Sequence, residues 1–270
     1  MKLHLLTLTW NGEDKIKALQ PGLMKNMENA GVECIWHVKD NGSKDNTVEW
    51  LKDSPNTVVY PVGHNRDSFA GGMNYLFDKA QPADEDLVLL LNNDVVFGDD
   101  VSLKKMIDLH KESGADMVGC RLLFTGTNKL QHAGVIFSQR YGNMPYHFRP
   151  GDESDEAAEK NRYFQAVTAA VVLVTAKSWK EVGGMDNKYQ WAFEDIDLCM
   201  KVGKLKEKNV IYCGGTKIFH EESASLKKNP VNKMFMSPNV RHFKSKWTGK
   251  YELDHDKYLS DSSYNEAEVQ

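Results

Sequence analysis

The feature that most constrains this chain is the stretch Leu87-Val88-Leu89-Leu90-Leu91-Asn92-Asn93-Asp94-Val95, an apolar run that passes directly into three polar residues and then returns to apolar. The run is too short to cross a membrane, and its bounded length predicts a strand buried on both faces, as in a mostly parallel sheet covered by helices. Asp94 then falls at the strand's C-terminal end. In open α/β sheets that edge binds ligands, and a carboxylate there suits a hard divalent cation facing a phosphate. A plain turn accounts for the same residues, since Asn and Asp are ordinary turn formers.

With 270 residues, 41% hydrophobic and 27% charged, the chain has the composition of one large globular core with a smaller appendage. No apolar run approaches the roughly 20 residues of a membrane span, and Met1-Lys2-Leu3-His4 leads into a strand pattern rather than a leader. A cytoplasmic location is the expectation. Cys34, Cys120, Cys199 and Cys213 are scattered, which indicates neither a zinc site nor a disulfide framework.

The net charge of −4 is unevenly spread. Residues 201–250 carry twelve Lys/Arg against three Glu, +9, leaving −13 for the remainder. The C-terminal third, with Lys227, Lys228, Lys233, Arg241, Lys244 and Lys246, is either a solvated lysine-rich face or a surface for an anionic acceptor, nucleic acid or a membrane. Residues 251–270 read as a polar, frayed or partner-seeking tail.

Strand and helix patterns alternate through the first half. Strands are expected at Leu3–Thr9, Val32–Lys39, Thr57–Pro61 and Leu87–Asn92, with a helix over Asp14–Ala30 and another capped by Ser43 or Asp45. A third helix begins at the adjacent glycines Gly71-Gly72. This β-α repetition predicts right-handed crossovers and a doubly wound sheet. The second half predicts a helix over Asp99–Ser113, a strand near Met117–Leu123, an irregular lid-like piece from Tyr141 to Lys160, a strand over Val167–Thr175 and a helix over Ala176–Val182 stopped by Gly183-Gly184.

Glu194, Asp195 and Asp197 then open an amphipathic helix beside Trp191 and Phe193. Acidic residues in a first helical turn are favoured by the helix dipole whatever the function. Beside aromatics, a carboxylate there also suits a general base, with desolvation raising its pKa and the helix terminus lowering it.

The ordered set of segments resembles inverting glycosyltransferases of family two with the GT-A fold, especially the bacterial rhamnosyltransferase-like branch. The resemblance covers roughly Leu3 to Trp247. It rests on Thr9-Trp10-Asn11, Asp40-Asn41-Gly42-Ser43 with Asp45 and Thr47, Asn65 through Asn74, Asn92-Asn93-Asp94, Gln131-His132-Ala133-Gly134, Glu181 through Asp186, Phe193 through Leu198, and His220 with Ser223 and Ser225.

The resemblance implies an α/β GT-A fold over residues 1–250, with a nucleotide-sugar half (1–115) and an acceptor and catalytic half (116–250). It assigns Thr9, Asn11, Asp40, Asn41, Arg66, Phe69, Gly72, Asn74, Asn92 and Asn93 to the nucleotide sugar, and Asp94 with His220 to Mn²⁺ or Mg²⁺. Asn92 stands where the family's DXD motif has its first carboxylate, leaving Asp94 as the chief acidic ligand. Asp195 is implied as general base with Glu194 beside it, and Gln190 and Trp191 as contacts to sugar or acceptor. The expected partners are a UDP-, dTDP- or GDP-sugar donor and a saccharide or anionic acceptor, with peripheral contact at the inner membrane face left open. Three other readings share these features: glycosylation of modified bases in DNA, nucleotidyl transfer, and a non-catalytic sugar-nucleotide-binding module.

Overall fold

The computed structural model describes residues 1–63, 67–190, 192–221 and 232–260, with the side chains of 232–236 and 259–260 left aside. Arg66, Trp191, Ser223, Ser225, Lys227 and Lys228 fall outside the described residues, as does the side chain of Lys233. The first half contains β1 (Lys2–Thr9), α1 (Glu13–Asn29), β2 (Glu33–Asp40), α2 (Thr47–Lys52), β3 (Thr57–Pro61), α3 (Phe69–Ala80), β4 (Leu87–Leu91), β5 (Val95–Phe97) and α4 (Ser102–Ser113). The second contains β6 (Met117–Phe124), β7 (Leu130–His132), β8 (Val135–Ser138), β9 (Met144–His147), β10 (Arg162–Tyr163) and β11 (Val171–Thr175). It continues with α5 (Ala176–Val182), α6 (Glu194–Val202), β12 (Val210–His220), α7 (Asn232–Trp247) and α8 (His255–Ser260).

One mixed sheet runs through both halves in the order β10-β12-β6-β11-β4-β1-β2-β3, with β5 and β7 attached to β12 and β6. The apolar run makes its centre. No residue of β4 is more than 1% exposed, and the side chains alternate between two cores. Val88 and Leu90 join one core with Leu6, while Leu87, Leu89 and Leu91 join the other with Leu3 and Leu5. Each such leucine contributes about 1.5–3 kcal/mol by leaving water, which fixes β4 as an interior strand.

The expected parallel, doubly wound sheet holds for β3, β2, β1 and β4. Beyond β4 the mostly parallel sheet takes in an antiparallel strand, β11, set against both β4 and β6, and β12 again runs parallel to β6. The strand expected from Val167 begins at Val171, because backbone groups of residues 168–170 are taken by side chains of the site. Asp99 precedes its helix instead of opening it, accepting from Val101 N–H at 3.1 Å and the Ser102 hydroxyl at 2.7 Å. Ser43 does not cap α2. Asn46 holds the N-cap position without a side-chain bond, while Asp45 Oδ1 accepts from Thr47 N–H at 3.1 Å.

The piece expected to be irregular from Tyr141 to Lys160 contains β9 and a 3-10 turn at Glu156–Glu159. Arg149 pins it internally, pairing with Asp152 at 3.1 Å and Asp155 at 2.8 Å. The polar-tail expectation is also corrected for residues 251–260. Asp254, 3% exposed, accepts from Phe137 N–H at 2.8 Å, and the Asp254 N–H donates to Phe137 O at 3.1 Å. Tyr258 stacks on Phe164 at 4.4 Å. Its polar composition hid this segment, because Asp254 and Tyr258 are the only buried residues among 251–258.

Several basic residues of the C-terminal third have partners within the fold. Lys246 pairs with Asp186 and Asp197, Lys206 with Asp116, Lys201 with Asp197, and Lys204 lies over the Trp247 ring. The four cysteines are buried and unbridged. Among the described residues no helix is long and apolar enough to cross a membrane.

Candidate active site

The C-terminal ends of β1 and β2 form two turns that lock together. Asn11, in the left-handed region at φ 45°, accepts from Lys44 N–H at 2.8 Å through Oδ1, and its own N–H donates to Ser43 Oγ at 2.8 Å. Asp40 is buried and accepts from the N–H groups of Gly42 and Ser43 at 3.1 and 3.0 Å, and from the Ser43 hydroxyl. Asn41 accepts from the buried Lys39 ammonium, which also pairs with Asp67 at 3.0 Å. Thr9 is 2% exposed and accepts from Asn93 Nδ2 at 3.1 Å. The β1 turn is thereby tied to the end of β4.

Ser68 caps α3 by accepting from Gly71 N–H at 3.1 Å. Gly72 faces inward: an added Cβ would sit 2.6 Å from Leu8 Cδ1, so the missing side chain serves helix-to-strand packing. Phe69 is half-buried against the same core. Asn74 clamps the chain ahead of α6. It donates to Met185 O and Asn187 Oδ1, each at 2.9 Å, and accepts from Met185 N–H at 3.0 Å. Gln190 lies on that segment, donating to Asn187 O at 3.3 Å.

Past β4 the chain turns into β5, which pairs antiparallel with the end of β12, His220 opposite Val95. This pairing brings Asp94 and His220 together, Oδ1 to Nε2 at 3.1 Å. Asn92 Nδ2 lies 3.4 Å from the same ring nitrogen, and Gln131 Oε1 is 2.7 Å from Nδ1. Burial pushes the Asp94 carboxyl up, but the His220 hydrogen bond and charge, aided by Lys15, outweigh it and hold the group below the usual carboxylate value.

A divalent cation fits this pair. Two ligands at right angles with bonds of about 2.1 Å stand about 3 Å apart, which matches the Asp94–His220 separation of 3.1 Å. A carboxylate and an imidazole suit Mg²⁺ or Mn²⁺, the nitrogen favouring the latter. Among the described residues no third His, Cys, Asp or Glu converges there.

The second carboxylate pair begins α6. Ala192 and Phe193 both adopt left-handed backbone, φ 66° and 74°, a strained entry that costs on the order of 1–3 kcal/mol per residue. Asn239 of α7 steadies it by donating to Ala192 O at 3.2 Å. Glu194 is 8% exposed, and its Oε2 has no hydrogen-bond partner among the described residues. Asp195 is half-buried and accepts from Ala169 N–H at 3.2 Å and Ile196 N–H at 2.8 Å.

Burial, then the Asp195 charge, pushes the Glu194 carboxyl well up. Burial also raises Asp195, against its two backbone donors and the nearby His147. Donated N–H groups favour a charged carboxylate and an unpartnered oxygen favours a neutral one. Hydrogen bonding thus favours the charged form at Asp195 and the neutral form at Glu194. Asp197 points the other way: fully buried, it accepts from Trp247 Nε1 at 2.7 Å and the Tyr189 hydroxyl at 3.3 Å, and pairs with Lys246.

What joins the two carboxylate centres is backbone that carries no sequence signal. Thr168 N–H donates to His132 Nε2 at 3.4 Å, Ala169 N–H to Asp195, and Ala170 O accepts from Asn92 N–H at 2.8 Å. Three consecutive residues thus bind a buried histidine, Asp195 and the end of β4. His132 in turn lies 2.8 Å from His147, Nδ1 to Nδ1.

Residues 31–166 match the family described as Glycosyl transferase family 2, a stretch that takes in Asp40, Asp94 and Gln131. Over 157 residues, 56% of this chain, the sequence is 28% identical to the O-antigen biosynthesis protein RfbC of Myxococcus xanthus. The chain spans 12% of that protein's length and 20% of another curated relative's. Among solved structures, S. aureus TarS 1-349 in complex with UDP-GlcNAc aligns with 96% of this chain and 70% of its own, at 14% identity and a TM-score of 0.62. GalNAc-T7 with UDP, GalNAc and Mn²⁺ aligns with 82% of this chain and 44% of its own, at 11% identity and a TM-score of 0.62. These likenesses establish a GT-A fold, and with half its length matching the family profile the chain belongs to glycosyl transferase family 2.

Proposed function

We propose that this chain transfers a sugar from a nucleotide-diphosphate sugar to an acceptor hydroxyl, with a divalent cation and with inversion at the anomeric carbon. The observation that carries the reading is the pairing of two centres through residues 168–170: Asp94 with His220 at one end, and Asp195 with Glu194 at the other. Family membership and the UDP and UDP-GlcNAc bound by the structural neighbours support a nucleotide-sugar donor. The likeness to an O-antigen biosynthesis protein supports a saccharide or lipid-linked saccharide acceptor.

In this reading the interlocked turns around Thr9, Asn11, Asp40 and Asn41 receive the nucleotide. A cation held by Asp94 and His220 would neutralise charge developing on the departing diphosphate. Asp195 takes the proton of the acceptor hydroxyl as its oxygen attacks the anomeric carbon. The bond from that carbon to the diphosphate breaks on the opposite face, so a single displacement inverts configuration. Glu194 keeps its proton and offers it as a hydrogen-bond donor to a sugar hydroxyl. Burial around the pair keeps water from competing for the donor.

The test is donor turnover with UDP-, dTDP- and GDP-sugars in Mn²⁺, Mg²⁺ or chelator, reading free nucleoside diphosphate beside Asp195→Asn. Metal-dependent release from one donor, lost in the variant, is expected. Release of pyrophosphate would assign nucleotidyl transfer instead. Absence of binding to every donor by calorimetry would overturn the reading.

A further inference from the structure

Gln131 is 5% exposed and lies on β7, the short strand whose pairing with β6 slips at this point. Leu122 faces His132 and Leu123 faces Leu130, leaving Gln131 as the extra residue of a bulge. Bulges re-aim side chains and gather beside active sites. Here the re-aimed side chain reaches His220, on β12 along the other edge of β6.

The amide meets His220 twice, and the two contacts remove each other's ambiguity. The His220 carbonyl can only accept, so the group 3.3 Å from it is the Gln131 NH₂. That turns Oε1 toward the ring, 2.7 Å from Nδ1. An amide oxygen can only accept in its turn, so Nδ1 carries the proton. Nε2 is then the nitrogen that either carries a second proton, bonded to Asp94 Oδ1 at 3.1 Å, or yields that place to a cation. With neither, two acceptors at that distance repel.

We propose that Gln131 is a positioning residue that commits His220 to the Nδ1–H tautomer and thereby turns Asp94 and His220 into a chelate for a divalent cation. The cation half of this rests on the function proposed above; the tautomer half stands apart from it. With Gln131 absent, the ring is released to the Nε2–H form, which donates to Asp94 and closes the chelate with a proton. Partners that orient a ligating histidine in this way typically change metal affinity by 10–100-fold.

The experiment compares wild type, Gln131→Leu and Gln131→Glu, with histidine labelled in ¹⁵N. The first readout is the His220 tautomer from long-range ¹⁵N–¹H couplings in metal-free protein, and the second is affinity for Mn²⁺ alone from water proton relaxation. Expected are Nδ1–H in wild type, a shift toward Nε2–H in Gln131→Leu with about 10-fold or more weaker Mn²⁺ binding, and retention of Nδ1–H in Gln131→Glu, whose carboxylate still accepts. An Nε2–H ring in wild type overturns the proposal whether or not either variant folds. Unchanged tautomer and unchanged affinity in folded Gln131→Leu overturn it as well. A wild type that holds Nδ1–H yet binds no Mn²⁺ overturns the cation reading and leaves the tautomer assignment standing.

Discussion

The backbone N–H of Ala169 donates to Asp195 Oδ2 at 3.2 Å, while the next residue accepts from Asn92 at 2.8 Å. Asp195, the base of the proposed mechanism, is thus registered to the end of β4 by the backbone of two adjacent residues, so its position follows the sheet. Asp195→Asn keeps an acceptor for Ala169 and removes the proton-accepting charge. Transfer should fall by about 10²–10⁴-fold with donor affinity by calorimetry unchanged, while the melting temperature drops modestly because the amide accepts from only one of the Ala169 and Ile196 N–H groups.

Glu194 supplies a pH signature in stability. Its carboxyl is raised in the folded chain by burial and by Asp195, so the folded state holds a proton that the unfolded state releases near pH 4.3. Stability therefore falls as pH rises from about that value toward the raised folded one, by at most about 1.4 kcal/mol per pH unit. Glu194→Gln should flatten this slope between pH 5 and 8 in thermal melts. An equally steep slope in the variant would mean that Glu194 is ionised in the folded chain.

Asp197 ties α6 to α7 through Trp247 and Lys246, and to Tyr189. Asp197→Ala removes the acceptor of two buried donors, Trp247 and Tyr189, and the carboxylate facing Lys201 and Lys246, of which Lys246 keeps Asp186, a loss of about 3–5 kcal/mol. Asp197→Asn, which still accepts from Trp247, should cost less in urea unfolding. Equal losses would show that charge alone carries the contact.

Gly134 has φ +110°, and an added Cβ would meet the Phe164 ring at 2.4 Å. Gly134→Ala should destabilise by on the order of 3 kcal/mol, from backbone strain and overpacking together. Adding Phe164→Leu should recover only part of this, since the strain remains. Chemical denaturation of the two variants separates the contributions.

The sequence is most legible where one side chain dominates its surroundings. The β4 run announced an interior strand because apolar residues on both faces have no other stable place, and Asp94 follows at its end. His220 lies 126 positions from Asp94; no periodicity links them, and only the family resemblance put them on one page. Asn74 and Gly72 appear in a segment that resembles a nucleotide loop, whereas their contacts are to Met185, Asn187 and Leu8. Ala169 and Ala170 were invisible, since they act through peptide groups that every residue carries. Gln131 stood in a recognised motif with no role attached, because the slip of β7 that re-aims it is a property of pairing.

The Asp197 anchorage has a temporal consequence during synthesis. The turns after β1 and β2 lie ahead of α6 in the chain, and N-terminal segments come first during synthesis. The helix bearing Glu194 and Asp195 follows much later, and its anchor Trp247 later still. The interlocked turns are thus made well before the segment that holds the second carboxylate pair in place.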